Sequence, residues 1–190
     1  MNVGILGGTF DPIHLGHLRA AEVARQALGL DEVLFVPAGS PPHRSGPLGA
    51  ALDRFAMVAL ATAAHPAFHP SDVELRDGAS YTVDTLAALD AARPGDALFL
   101  IVGSDTYAEM TTWREHERVF SLCQVAVVAR PGAEATPAAA GQGRRVHVVP
   151  GDGLPVSATD VRRRLREGRS VRYLVPEAVD DYIRKRRLYR

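Results

Sequence analysis

Residues 2–28 read NVGILGGTFDPIHLGHLRAAEVARQAL. The run opens with a short apolar strand, Asn2–Leu6, that feeds Gly7-Gly8. It closes with a helix over Leu15–Leu28, where Leu15, Leu18, Ala21, Val23, Ala24 and Leu28 recur at helical spacing before Gly29 stops it. Glycines at a strand end let the backbone turn tightly and approach an anion. The helix that follows aims its first amides at the same point, which makes a ready phosphate site. His14 and His17 are three residues apart and share one face of the first turn. Imidazoles placed there can donate hydrogen bonds to phosphate oxygens. They could instead ligate a metal, although no third ligand lies nearby in sequence, or serve structure alone. Neither G-x-x-x-x-G-K-[ST] nor G-x-G-x-x-G is present, which disfavours a P-loop enzyme and a nicotinamide dehydrogenase.

The same alternation continues along the chain. Strands are expected at Glu32–Pro37, Phe68–Leu75, Ala97–Val102, Gln124–Ala129 and Val146–Val149, and helices at Leu48–Ala64 and Thr82–Ala92. The strands are almost continuously apolar, the pattern of a parallel sheet covered on both faces. The expected fold is therefore α/β: a Rossmann-like, doubly wound parallel sheet. Two helices, Ala158–Arg166 and Pro176–Arg187, would form a small C-terminal helical portion over about 157–190, within a single domain spanning 1–190. Residues 37–49 and 131–143 are rich in Pro, Gly or Ala and read as loops. Ligands of such sheets bind beyond the C-terminal strand ends.

Bulk properties exclude several classes. The chain has 190 residues and a formal net charge of zero, so no global attraction to nucleic acid or membrane is expected. Half of its 22 Lys and Arg residues lie between Ser157 and Arg190. A solvated helical face accounts for most of them; binding of DNA or RNA is the alternative. The lone Cys123 cannot form an internal disulfide and sits in an apolar run, as a small core residue would. No secretory signal and no membrane-length apolar run is visible, so a cytoplasmic location is expected. A homo-oligomer is compatible with the sequence. His65, His69, His116 and His147 match no motif and read as surface or loop residues.

A second anion-binding motif stands near the other end. Ser157 can cap the helix that starts at Ala158, and Arg162, about one turn further in, can bridge two phosphate oxygens. Taken alone, this is also what a helix cap and a surface arginine look like. The two motifs together resemble the nucleotidylyltransferase superfamily. Gly8–His17 resembles its (T/H)xGH signature, and Val156-Ser157-Ala158-Thr159-Asp160-Val161-Arg162 resembles its ISSTxxR signature, with Ala158 where serine is usual. Class I aminoacyl-tRNA synthetases share the first signature but are much longer.

Between the motifs the resemblance narrows to the nicotinate-nucleotide adenylyltransferase family. Pro41-Pro42-His43-Arg44 is similar to its PPHK loop, with arginine for lysine. Ser80–Leu86 is similar to its SYTxDTL stretch, and Gly103-Ser104-Asp105 followed by Trp113 to its GxD…W segment. The resemblance implies adenylyl transfer from ATP to nicotinate mononucleotide, in NAD synthesis. It implies catalytic roles for His14, His17 and Arg162. For ATP it implies Gly7, Gly8, Thr9, Phe10, His14, His17, Gly103, Asp105, Ser157, Thr159 and Arg162. For nicotinate mononucleotide it implies Thr9, Arg44, Tyr81, Thr82, Asp105 and Trp113. Mg2+ is expected with the ATP phosphates, and no metal held by a protein cage. The implied partners are these small molecules, with no nucleic acid and no membrane. Alternatives are the same transfer to nicotinamide mononucleotide, phosphopantetheine or a cytidylyl system, and a nucleotide sensor without catalysis.

Overall fold

The computed structural model describes residues 1–40, 49–75, 80–129, 145–150 and 154–190. The elements run β1 (Asn2–Gly8), α1 (Leu15–Leu28), β2 (Glu32–Pro37), α2 (Ala51–Thr62), β3 (Phe68–Pro70) and α3 (Thr82–Ala92). Then come β4 (Ala97–Gly103), α4 (Ser104–Glu109), a 3-10 turn (Met110–Thr112), α5 (His116–Leu122), β5 (Gln124–Val128), β6 (Val146–Val149), α6 (Ala158–Arg166) and α7 (Glu177–Arg186).

All strand pairs are parallel, and the sheet order is β3-β2-β1-β4-β5-β6. Ile5 of β1 aligns with Leu34 of β2 on one side and Leu100 of β4 on the other. The winding direction reverses between β1 and β4, the point where such sheets open a crevice.

Successive strand residues feed opposite cores, because side chains alternate across a strand. Val33, Phe35, Phe99, Ile101 and Ala126 join the α1, α2, α6 and α7 side. Val3, Ile5, Leu34, Val36, Leu100, Val102 and Val125 join the α3 and α5 side. Both faces are covered, which explains why the strands are apolar throughout.

Two expectations are corrected. The strand placed at Phe68–Leu75 ends at Pro70, and a turn with Leu75 N–H on the Asp72 carbonyl follows. Two short helices, α4 and α5, fill the stretch between β4 and β5, where no element was expected. His69 and His147 lie on β3 and β6, within the strands expected there, and His69 is exposed at the surface. The loop expected at 131–143 lies outside the described residues. Among the described residues no helix is long and apolar enough to cross a membrane.

Candidate active site

β1 ends in Gly7-Gly8 and β4 in Gly103, on neighbouring strands. A Cβ on Gly7 or Gly103 would meet nothing within 4 Å, so open space lies over both strand ends. The loop 9–14 leads from β1 to α1. Its Phe10 ring is buried and meets the His17 ring edge-on, with centroids 5.0 Å apart. The Phe10 ring therefore packs inward, against His17.

His14 is the N-cap of α1 in extended conformation. Its backbone N–H donates to His17 Nδ1 at 3.2 Å. The two rings stack with centroids 3.6 Å apart and 21° between planes. Gly16 makes this possible, because a Cβ there would press on His14 Nδ1 at 3.0 Å. Burial pushes the His14 imidazole down to about 4. Burial, with the charge of His14 as a second cause, holds His17 well below its ordinary value. Both rings are thus neutral at pH 7. Since His17 Nδ1 accepts a proton donor, its own proton sits on Nε2, the nitrogen free to donate outward.

The helix amides contribute less than the sequence suggests. Leu15 N–H donates to the Leu174 carbonyl at 2.9 Å, and His17 N–H to the His14 carbonyl at 3.0 Å. The imidazoles therefore carry more of any anion binding at this end of α1.

The second motif packs against the first. Ser157 caps α6, its Oγ accepting from Asp160 N–H at 3.1 Å. Arg162 donates through one terminal nitrogen to the Asp11 carbonyl at 2.6 Å and through the other to Thr159 Oγ1 at 3.3 Å. Its Nε is buried with no protein acceptor. His14, His17, Ser157, Thr159 and Arg162 thus gather around the loop that follows β1. Thr9 lies in that loop, with its carbonyl taken by Arg54 at 2.7 Å.

A different set collects on the other side of the sheet. Tyr81 is the N-cap of α3, so the Thr82 and Val83 amides open that helix with no intrahelical partner. Trp113 ends the 3-10 turn, and Tyr81, Tyr107 and Trp113 all pack partly buried against the same core. The Arg114 guanidinium lies 4.7 Å above the Tyr81 ring and reaches Asp84 at 3.3 Å, which ties the Trp113 segment to the start of α3. Asp105 stands exposed in the first turn of α4, two residues after Gly103. Arg44 lies outside the described residues.

Sequence reasoning missed Arg54 and Arg114. Arg54 is fully buried, with donors on the carbonyls of Gly49, Thr9 and Gly39. Its signal was a lone arginine within the apolar stripe of α2. Arg114 carries no signal beyond its place after Trp113. Among the described residues, no group of three or more His, Cys, Asp or Glu could hold a metal.

The cytidylyltransferase-like family model matches residues 5–164. A Thermus thermophilus protein named as a probable nicotinate-nucleotide adenylyltransferase is 48% identical, with all of both chains covered. A Citrifermentans bemidjiense protein of the same name is 46% identical over 100% of this chain and 98% of its own length. The fold is similar to that of Plasmodium falciparum nicotinic acid mononucleotide adenylyltransferase complexed with NaAD, at TM-score 0.84 and 18% identity, over 99% of this chain and 97% of that one. The chain belongs to the cytidylyltransferase-like family and, within it, to the nicotinate-nucleotide adenylyltransferases.

Proposed function

We propose that the chain transfers the adenylyl group of ATP to nicotinate mononucleotide, giving deamido-NAD and pyrophosphate in NAD biosynthesis. The observation that carries this reading is the contact of Arg162 with the Asp11 carbonyl, which joins two phosphate motifs 151 residues apart. The acceptor phosphate attacks the α-phosphorus of ATP in line, and pyrophosphate leaves. A phosphate monoester is largely ionised at pH 7 and needs no strong general base. Catalysis is then positioning and charge stabilisation.

Neutral His14 and His17 donate to the α- and β-phosphate oxygens as charge builds there. Arg162, Ser157 and Thr159 hold the departing pyrophosphate, with Gly7, Gly8, Thr9 and Phe10 shaping the loop. Gly103 leaves room for the nucleotide, and Asp105 accepts from a ribose hydroxyl. The Tyr81 and Thr82 segment meets the nicotinate carboxylate, and Trp113 stacks on the pyridine ring. Arg44 adds positive charge to the acceptor phosphate. Mg2+ would arrive with the ATP phosphates, its shell completed by water.

The molecule is read as one domain, because α6 and α7 share a core with α1 and α2. Nucleic acid is not a partner. The basic helix ends are paired with acids, as in Arg163 and Arg164 with Asp160, Arg169 with Glu167 and Arg184 with Asp180. A cytoplasmic location fits the single buried thiol.

The test is pyrophosphate release from ATP with nicotinate mononucleotide, nicotinamide mononucleotide or phosphopantetheine as acceptor. Release is expected with the first and is weaker with the others. No release with nicotinate mononucleotide overturns the reading.

A further inference from the structure

The segment after α7 turns back into the active site. Arg187 and Tyr189 both adopt left-handed backbone, with φ of 56° and 63°, and Leu188 N–H donates to the Ile183 carbonyl at 3.0 Å. These two turns bury the Tyr189 side chain to 8% exposure. Its hydroxyl donates to Asp11 Oδ1 at 2.7 Å. The same carboxylate oxygen accepts the Gly49 amide at 3.0 Å, and the Asp11 carbonyl accepts Arg162 at 2.6 Å. The fit is tight: a Cβ on Gly49 would stand 2.8 Å from Asp11 Oδ1 and 3.0 Å from the Tyr189 hydroxyl. Asp11 lies between the glycines of β1 and His14.

We infer that Tyr189 is a positioning residue for adenylyl transfer, latching the phosphate-binding loop through Asp11 and so fixing His14 and Arg162 relative to each other. This rests on the reaction proposed above. Burial and the adjacent carboxylate push the phenol well above its ordinary range, so it remains a donor at any working pH. A shift of Asp11 moves both motifs at once, because its carboxylate Oδ1 holds the latch and its backbone carbonyl holds Arg162. Misplacement of reacting groups by about 1 Å can cost on the order of a hundredfold in rate.

Tyr189→Phe removes the hydroxyl and keeps the ring. Tyr182→Phe is the matched control: it loses a phenol hydrogen bond of 2.8 Å from α7 to Asp53 of α2, and none to the loop after β1. Turnover, both KM values, MgATP affinity without acceptor, and melting are compared with the parent chain. Tyr189→Phe is expected to lower kcat and MgATP affinity about tenfold, leaving KM for nicotinate mononucleotide within about twofold. Tyr182→Phe is expected to keep all of these. A parent chain that binds MgATP but does not adenylylate nicotinate mononucleotide overturns the reaction, and the latch is then judged on MgATP affinity alone. Tyr189→Phe with unchanged kcat and affinity overturns the latch. So does an equal loss in both variants, or a loss shared by both KM values, since these would mark a diffuse contribution to stability.

Discussion

The backbone N–H of His14 donates to His17 Nδ1 at 3.2 Å, and the two rings stack 3.6 Å apart. One contact thus does two things. It caps α1, and it fixes the tautomer of His17 so that the ring proton sits on Nε2. The reach of that donor should matter more in the transition state than in the bound substrate, because charge on the phosphate oxygens rises as the bond to pyrophosphate breaks.

His17→Ala removes this donor. Turnover is expected to fall by about two to three orders of magnitude, the usual effect of losing one preorganised donor to a developing oxyanion. Circular dichroism should stay native, because the His17 side chain belongs to neither apolar core. Turnover within about threefold of the parent chain would sink the role.

The buried histidines also make stability depend on pH. The ordinary histidine value is 6.5, and burial holds His14 at about 4 and His17 also well below it. Between those values the unfolded chain takes up protons that the folded chain refuses. Stability from this source is therefore complete above about pH 6.5 and falls as pH drops below it, the His14 share levelling off below about pH 4. For His14 the full span is worth roughly 3 kcal/mol. His14→Gln does not titrate, so its urea midpoint should fall less between pH 7 and pH 4.5 than that of the parent chain. Equal slopes, or an imidazole NMR titration of His14 near 6.5, would contradict the assignment.

Some of this was legible in the sequence for plain reasons. β1, its glycines and α1 are read easily, because each residue obeys one local rule. The parallel sheet follows from strands without polar alternation. Ser157 reads as a cap and holds one, with Asp160 N–H on its hydroxyl. Other features depend on distant partners. The α4 and α5 helices have 6 and 7 residues, too few turns for a periodic signal. Leu15 looks like a free helix amide until Leu174 is seen to accept it. Arg54 goes unread, because nothing nearby in sequence marks the three carbonyls that surround it.

Arg54 is expected to be the most costly side chain to remove from the loop framework. It is fully buried and spans the carbonyls of Gly49, Thr9 and Gly39. Arg54→Met fills similar volume but leaves those acceptors, and the Asp11 carboxylate nearby, without a cation. Breaking a buried charged network in this way costs about 3–5 kcal/mol. Arg54→Lys should recover only part of it, since an ammonium cannot reproduce the planar fork. Urea unfolding measures both. A loss under about 1 kcal/mol in Arg54→Met would show that Arg54 fills space rather than bonding the loop.

Trp113 tests the acceptor separately from the phosphates. It ends the 3-10 turn beside Tyr81 and packs half-buried against the core that holds Tyr107. Stacking of a base on an aromatic ring is worth about 1–3 kcal/mol. Trp113→Ala should therefore raise KM for nicotinate mononucleotide by about one order of magnitude. The affinity for MgATP should stay unchanged, because His14, His17 and Arg162 gather on the loop after β1 and do not touch this turn. Trp113→Phe keeps a flat ring and should restore most of the loss, whereas a purely structural tryptophan would show its effect in melting and in both substrates alike. Equal changes in MgATP affinity and in acceptor KM would move Trp113 out of the acceptor pocket.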